Sequence, residues 1–153
     1  MEGHMTLYVD ECLEDAEDGY PFAQYELAVL YRKGEGVAQD YKKAAKWYRE
    51  AAEQAYVEAQ YDLAVMYDRG HGVEQDYEEA VKWFTLAADQ GYVLARYNLS
   101  VMYKKGEGVE QNYEQALKWH RIAIAQWYPF RCSNLNNIEN CVTRFGYTTR
   151  EFY

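Results

Sequence analysis

The chain has 153 residues, 49% of them hydrophobic and 27% charged, which is enough for one domain with a real core. Its net charge of −9 is uneven: residues 1–19 hold seven acids and no Lys or Arg, while residues 20–127 hold 16 acids and 13 bases. Nucleic acid and anionic membrane both need a basic face, so the pattern argues against them as partners, and no apolar run approaches the ~20 residues that cross a bilayer.

Residues 6–19 are expected to form an N-terminal capping helix with an acidic outer side. The first twenty residues lack an apolar core segment, so no signal peptide is visible. This favours a cytoplasmic protein; a leader removed ahead of Gly3-His4-Met5 would make it periplasmic or secreted. A basic protein partner near this acidic end is permitted.

Three segments then align without gaps, residues 20–55, 56–91 and 92–127, and about 20 of the 36 positions are identical between neighbours. Each unit reads as helix, loop, helix. Ala23, Leu27 and Tyr31 recur at steps of four on one helical face, as do Ala59, Leu63, Tyr67 and Ala95, Leu99, Tyr103. Gly34, Gly70 and Gly106 follow the last periodic residue, where a helix stop favours a left-handed conformation. The loop reads G-x-G-V-x-Q-[DN], and its last residue, Asp40, Asp76 or Asn112, suits the N-cap of the second helix. Asp76 with Glu79, and Asn112 with Gln115, approximate a capping box. Trp47, Trp83 and Trp119 lie on the apolar stripe of the second helices, beside Tyr48, Phe84 and His120.

Beyond the third unit, Tyr128-Pro129-Phe130 repeats Tyr20-Pro21-Phe22, which suggests a partial fourth unit over residues 128–141. Residues 142–153 show no helical period and are read as an irregular tail. Its rings Phe145, Tyr147, Phe152 and Tyr153 need cover, so self-association through the tail is one possibility.

A lone helix pair of this size does not bury its apolar face, whereas stacked pairs do. The predicted fold is therefore all-α: a right-handed α-solenoid superhelix of three 36-residue repeats with capping helices at both ends. The run A-x-x-x-L-[AS]-x-[LM]-Y-x-x-G-x-G-V-x-Q-[DN]-Y-x-x-A-x-K-W, three times in register, resembles the Sel-1-like repeat family, a relative of the tetratricopeptide repeat. Ala28, Ala64 and Ser100 stand where that family usually has Gly, a small-for-small change. The resemblance implies a scaffold that binds proteins or peptides in assembly, signalling or quality control, without naming a partner.

Taking Leu27 as the core direction, about 100° per residue places Phe22, Tyr25, Val29 and Arg32 on the opposite side. Their equivalents are Glu58, Tyr61, Val65 and Asp68, then Leu94, Tyr97, Val101 and Lys104. If the first helices line the concave side, as in related repeats, these twelve residues form the floor of a partner-binding groove. Tyr25, Tyr61 and Tyr97 would make a ladder there, or pack between adjacent helices, or both.

Chemistry-bearing patterns are sparse. Cys12, Cys132 and Cys141 fit no metal spacing, the glycine pairs lack the third Gly and preceding strand of a phosphate loop, and Ser100 sits at a packing position. His71 is expected on the surface and His120 in the core edge. The sequon Asn98-Leu99-Ser100 lies within a helix whose Leu faces the core. No catalytic residue, metal or cofactor is therefore predicted, and the chain is read as a protein-interaction scaffold rather than an enzyme. The alternatives are a structural or oligomerising module, including a fragment of a longer array, and, distantly, a β-lactam-binding or hydrolysing enzyme such as cysteine-rich relatives of the repeat. This chain lacks the regular cysteine pairs of those relatives.

Overall fold

The computed structural model describes the backbone of residues 2–127 and the side chains of residues 7–126. The expected partial unit at 128–141, the tail at 142–153, Cys132, Cys141 and the tail rings lie outside the described residues. Among those described, seven helices follow one another: α1 (Glu2–Glu17), α2 (Pro21–Lys33), α3 (Tyr41–Glu53), α4 (Val57–Arg69), α5 (Tyr77–Asp89), α6 (Val93–Lys105) and α7 (Tyr113–Trp127). Each packs chiefly against the helix before it and the helix after it, so the chain is an all-α solenoid of stacked pairs.

The first helix of each unit ends in a backbone clip that explains the loop motif. The last carbonyls of a helix have no partner within it and must find one outside. In the first unit Gly34, at φ +74°, donates its N–H to Leu30 O at 2.8 Å. The Asp40 N–H bonds Tyr31 O at 2.9 Å, and the Gln39 side chain reaches back to Arg32 O at 2.8 Å. The second and third units repeat this: Asp76 N bonds Tyr67 O and Asn112 N bonds Tyr103 O. Gln75 and Gln111 close the circuit on Asp68 O and Lys104 O at 2.6 and 2.8 Å.

Asp40 and Asp76 then cap the second helices, each accepting from two backbone N–H groups at 3.0 and 3.1 Å, and Asn112 accepts from Gln115 N. The expected capping boxes are not made. Glu79 turns outward to Lys82 at 3.2 Å, and the Asp76 N–H is already committed to Tyr67 O. With that donor occupied, a reciprocal bond has nothing to bind.

The core is made of the small and branched residues that the pattern places inward. Leu27, Leu63 and Leu99 are fully buried, as are Ala44, Ala51, Ala59, Ala80, Ala87, Ala95 and Ala116. Each leucine contributes roughly 1.5–3 kcal/mol by leaving water, and the alanines let helix axes approach. Of the three equivalent tryptophans on the second helices only Trp83 is buried; Trp47 and Trp119 are half-buried. Cys12 and Ala16 of α1 are buried at the positions that Tyr48 and Ala52 hold in the first unit, so α1 stands in for a second helix below it. It starts at Glu2, earlier than the cap expected from residue 6.

In the second and third units the second glycine of G-x-G is required by the neighbouring unit. At Gly72 (φ +71°) a Cβ would fall onto the carbonyl of Tyr41 and within 2.9 Å of Lys42 N, both at the start of α3. At Gly108 it would fall onto the Tyr77 carbonyl and within 2.8 Å of Glu78 N. The loop of one unit therefore sits directly on the second helix of the unit before.

Candidate interaction surface

The residues opposite the leucine stripe stand at equivalent positions of α2, α4 and α6. Phe22 and Leu94 are exposed, at 61% and 39%, while Glu58 between them is half-buried. Glu58 lies close enough to Tyr56, Tyr92 and Asp62 to perturb all three. Val29, Val65 and Val101 are half-buried, and the first two pack on the core.

The rings of the tyrosine ladder pack against neighbouring aromatic residues. The Tyr25 ring lies 5.7 Å from Tyr48 and 5.2 Å from Tyr56 of the next unit. Tyr61 lies 5.7 Å from Phe84 and 4.9 Å from Tyr92. Both are half-buried; Tyr97, 6.1 Å from His120, is 39% exposed. These tilted pairs are the geometry aromatic rings prefer. They stitch each unit to the next and leave the ring edges on the surface.

A polar cluster sits at the first junction. Arg32 donates from Nε to the buried Tyr48 hydroxyl at 3.0 Å. Burial is the largest influence on the Asp62 carboxylate and pushes its pKa above the usual carboxylate range, against the opposing influence of the nearby Arg32 charge and of the Tyr48 and Tyr25 hydroxyls. Burial raises the Tyr25 and Tyr48 hydroxyls as well. At the second junction Asn98 replaces the acid and donates to Tyr61 OH at 3.5 Å. Asp68 replaces Arg32; burial and nearby Glu107 raise its pKa, and it makes no ion pair among the described residues. At the third position Lys104 lies near His120, whose pKa is lowered by burial first and by that charge second. Arg32, Asp68 and Lys104 thus occupy one position in the three units, with Arg32 tethered to Tyr48.

Elsewhere, His71 is exposed, as expected, and its ring stacks 5.3 Å from Tyr41 of the preceding unit. His120 is buried. The Ser100 hydroxyl is spent on Tyr97 O at 2.6 Å within its own helix. Among the described residues no group of His, Cys, Asp and Glu is placed to hold a metal ion, and no helix is long and apolar enough to cross a membrane.

A family model for the Sel1 repeat matches three times in succession, over residues 21–56, 57–92 and 93–126. The chain belongs to the Sel1 repeat family. Solved structures resemble it, two of them as follows. One is c5321, described as a protective antigen present in uropathogenic Escherichia coli strains displaying an SLR fold, with 41% identity and a TM-score of 0.75 over 77% of this chain and 25% of that one. The other is a Sel1 repeat protein from Oxalobacter formigenes, with 38% identity and a TM-score of 0.68 over 71% of this chain and 44% of that one. The chain spans about a quarter of the first and less than half of the second. A search of curated proteins finds no match. Sel1 repeats are typically protein-interaction scaffolds and generally not enzymes.

One set of structural residues in this Sel1 array escapes sequence reading: the side chains that cap the second helices from the following unit. Gln24 Nε2 donates to Ala16 O at 3.2 Å, Gln60 Nε2 to Ala52 O at 3.1 Å, and Arg96 Nε to Ala88 O at 2.9 Å. Gln54, Gln90 and Gln126 then bond Gln24, Gln60 and Arg96 respectively. Their recurrence at the 36-residue period was the available signal. A buried amide looks like any surface glutamine until its partner carbonyl is known.

Proposed function

We propose that this Sel1 array is a non-enzymatic scaffold that holds a segment of a partner protein on the face of its first helices. The observation that carries the reading is a division of labour within the repeat. The clip residues, caps, leucines and alanines stay nearly constant from unit to unit, whereas Phe22, Glu58 and Leu94, and likewise Arg32, Asp68 and Lys104, change at one structural position. Framework positions held constant beneath a varied face are what a recognition surface needs, because specificity comes from differences among sites and stability from sameness. The tyrosine edges between these positions add apolar area with a hydroxyl handle.

The test is affinity capture from the native source, comparing the wild-type chain with Phe22→Ala/Leu94→Ala. Both side chains are exposed, so the variant keeps its melting temperature. Partners retained by wild type and lost by the variant support the proposal; identical recovery by both rejects it. A second reading, a segment of a longer array, is favoured by the partial coverage of both structural relatives. It is compatible with the first, since added units lengthen the same face.

A further inference from the structure

Where α1, α2 and α3 meet, a cleft of about 660 Å³ opens beside Glu17, Gly19, Lys46, Trp47, Glu50 and Glu53. That size is ordinary for a site that takes a small ligand or a few side chains. Its floor is fixed by Gln54, which donates to Gly19 O at 3.0 Å and to Gln24 Oε1 at 2.8 Å. Gly19 faces open space, with nothing within 4 Å of an added Cβ. Trp47 is half-buried there, and Lys46 Nζ stands 5.2 Å from its ring centroid, so the indole face is within reach of a cation. None of the twelve first-helix face residues lines the cleft, so the two surfaces are separate.

The charges around this indole break a rule that the first helices of the units follow. A helix C-terminus carries partial negative charge and is stabilised by nearby bases. The last turns of α2, α4 and α6 comply, with Arg32 and Lys33, Arg69, and Lys104 and Lys105. By contrast, α1 and α3 end at the cleft with no base in the last turn; Glu17 closes one, and Glu50 and Glu53 close the other. None of these carboxylates forms an ion pair among the described residues. Nor does the arrangement belong to the repeat. At the position of Glu50 the next units carry Leu86 and Ile122, and Trp83 is buried where Trp47 is only half-buried. A local conflict with the rules of helix stability, joined to an open aromatic cleft, marks a place kept for function. We propose that this cleft binds an arginine side chain on a basic segment of a partner protein, its guanidinium laid on Trp47 and its N–H groups shared among the carboxylates. Arginine fits better than lysine because its planar fork stacks on an indole and pairs with carboxylates at once. The negative charge at this end, seven acids and no Lys or Arg in residues 1–19, steers such a segment toward it.

The experiment titrates a capped tri-arginine peptide into the full chain by calorimetry at fixed ionic strength, because salt screens such contacts. Wild type should bind it saturably. Glu50→Gln/Glu53→Gln should weaken binding about tenfold or more, yet melt no lower than wild type, since it removes charges that oppose the helix dipole. Glu74→Gln/Glu110→Gln makes the same change in net charge on exposed loops of the other units and should shift affinity less than about twofold. Trp47→Leu should weaken binding about tenfold, with circular dichroism reporting whether the helices persist. Absence of saturable binding, an equal loss in the loop variant, or unchanged affinity of Trp47→Leu would overturn the proposal. So would spermidine, a flexible cation of equal charge, binding as tightly as the peptide. Should Trp47→Leu fail to fold, the two glutamine pairs, which alter exposed side chains alone, decide the matter.

Discussion

Replacing Gly72 with alanine separates two roles that glycine plays in the repeat. Gly70 and Gly72 share a left-handed backbone, at φ +68° and +71°, so alanine at either costs about 1–2 kcal/mol in backbone strain. At Gly70 the new Cβ meets Gln75 Cβ at 3.2 Å and Gln75 N at 3.4 Å, tight contacts within the same loop that a shift of a few tenths of an ångström relieves. At Gly72 it lands on the Tyr41 carbonyl and near Lys42 N, backbone atoms fixed by the Asp40 cap. Only separation of the loop from α3 relieves that overlap, and separation exposes part of the interface between the first and second units. Overpacking of this kind adds about 1–3 kcal/mol, so Gly72→Ala should cost roughly 3–5 kcal/mol and Gly70→Ala about 1–2. Urea titration followed by circular dichroism measures both. Hydrogen exchange should show added opening at the start of α3 for Gly72→Ala only. Equal losses for the two variants, or a Gly72→Ala protein as stable as wild type, would refute the claim that the second glycine serves the neighbouring unit.

Ala55 holds φ +63° where Gly19 and Gly91 stand in the adjacent units, so Ala55→Gly should raise stability by about 0.5–1 kcal/mol, read as a higher urea midpoint. Trp83→Ala should cost about 3–5 kcal/mol by the same titration, because Trp83 is the one buried tryptophan of its three equivalents; Trp47→Ala should cost clearly less. Burial and Lys104 lower the His120 pKa below its ordinary 6.5. A depressed histidine contributes stability above its unfolded pKa and loses it as pH falls through the folded value. Melting temperatures of His120→Phe and wild type should therefore diverge below pH 6.5, with the variant falling less; parallel curves down to pH 5 would contradict this. Asp62 is the opposite case: its pKa is raised by burial, so stability is lost as pH rises above the ordinary carboxylate value. Asp62→Asn should gain on wild type as pH rises above about 4 and match it in more acid solution, read from melting temperatures across that range.

The parts of the fold that depend on one helix were legible in the residue order. The Ala and Leu stripe, the glycine stops and the Asp and Asn N-caps all stand where local geometry requires them. Requirements imposed from outside the unit were not. Nothing local distinguishes Gly72 from Gly70, yet one answers to its own backbone and the other to α3. Gln24 and Gln60 carry no sign of the carbonyl they serve eight residues back, and Arg96 does the same task with different chemistry. The capping box failed for a related reason, because the loop had already used the Asp76 N–H. On the proposed face, helical angle alone assigned the twelve residues to one side of the helices. It did not foresee that Tyr25 and Tyr61 would be half-covered by Tyr56 and Tyr92, since those rings arrive from the next unit.

The clip and the glycine seat recur at both internal boundaries. A duplicate of residues 56–91 inserted after itself would find Ala88 O waiting for its Gln60, as Arg96 finds it now, and the Tyr77 carbonyl waiting for its Gly72, as Gly108 does. The molecule is extensible in whole modules. Reach can grow by duplication, without redesign of any joint, and each added module brings one more row whose side chains are free to change.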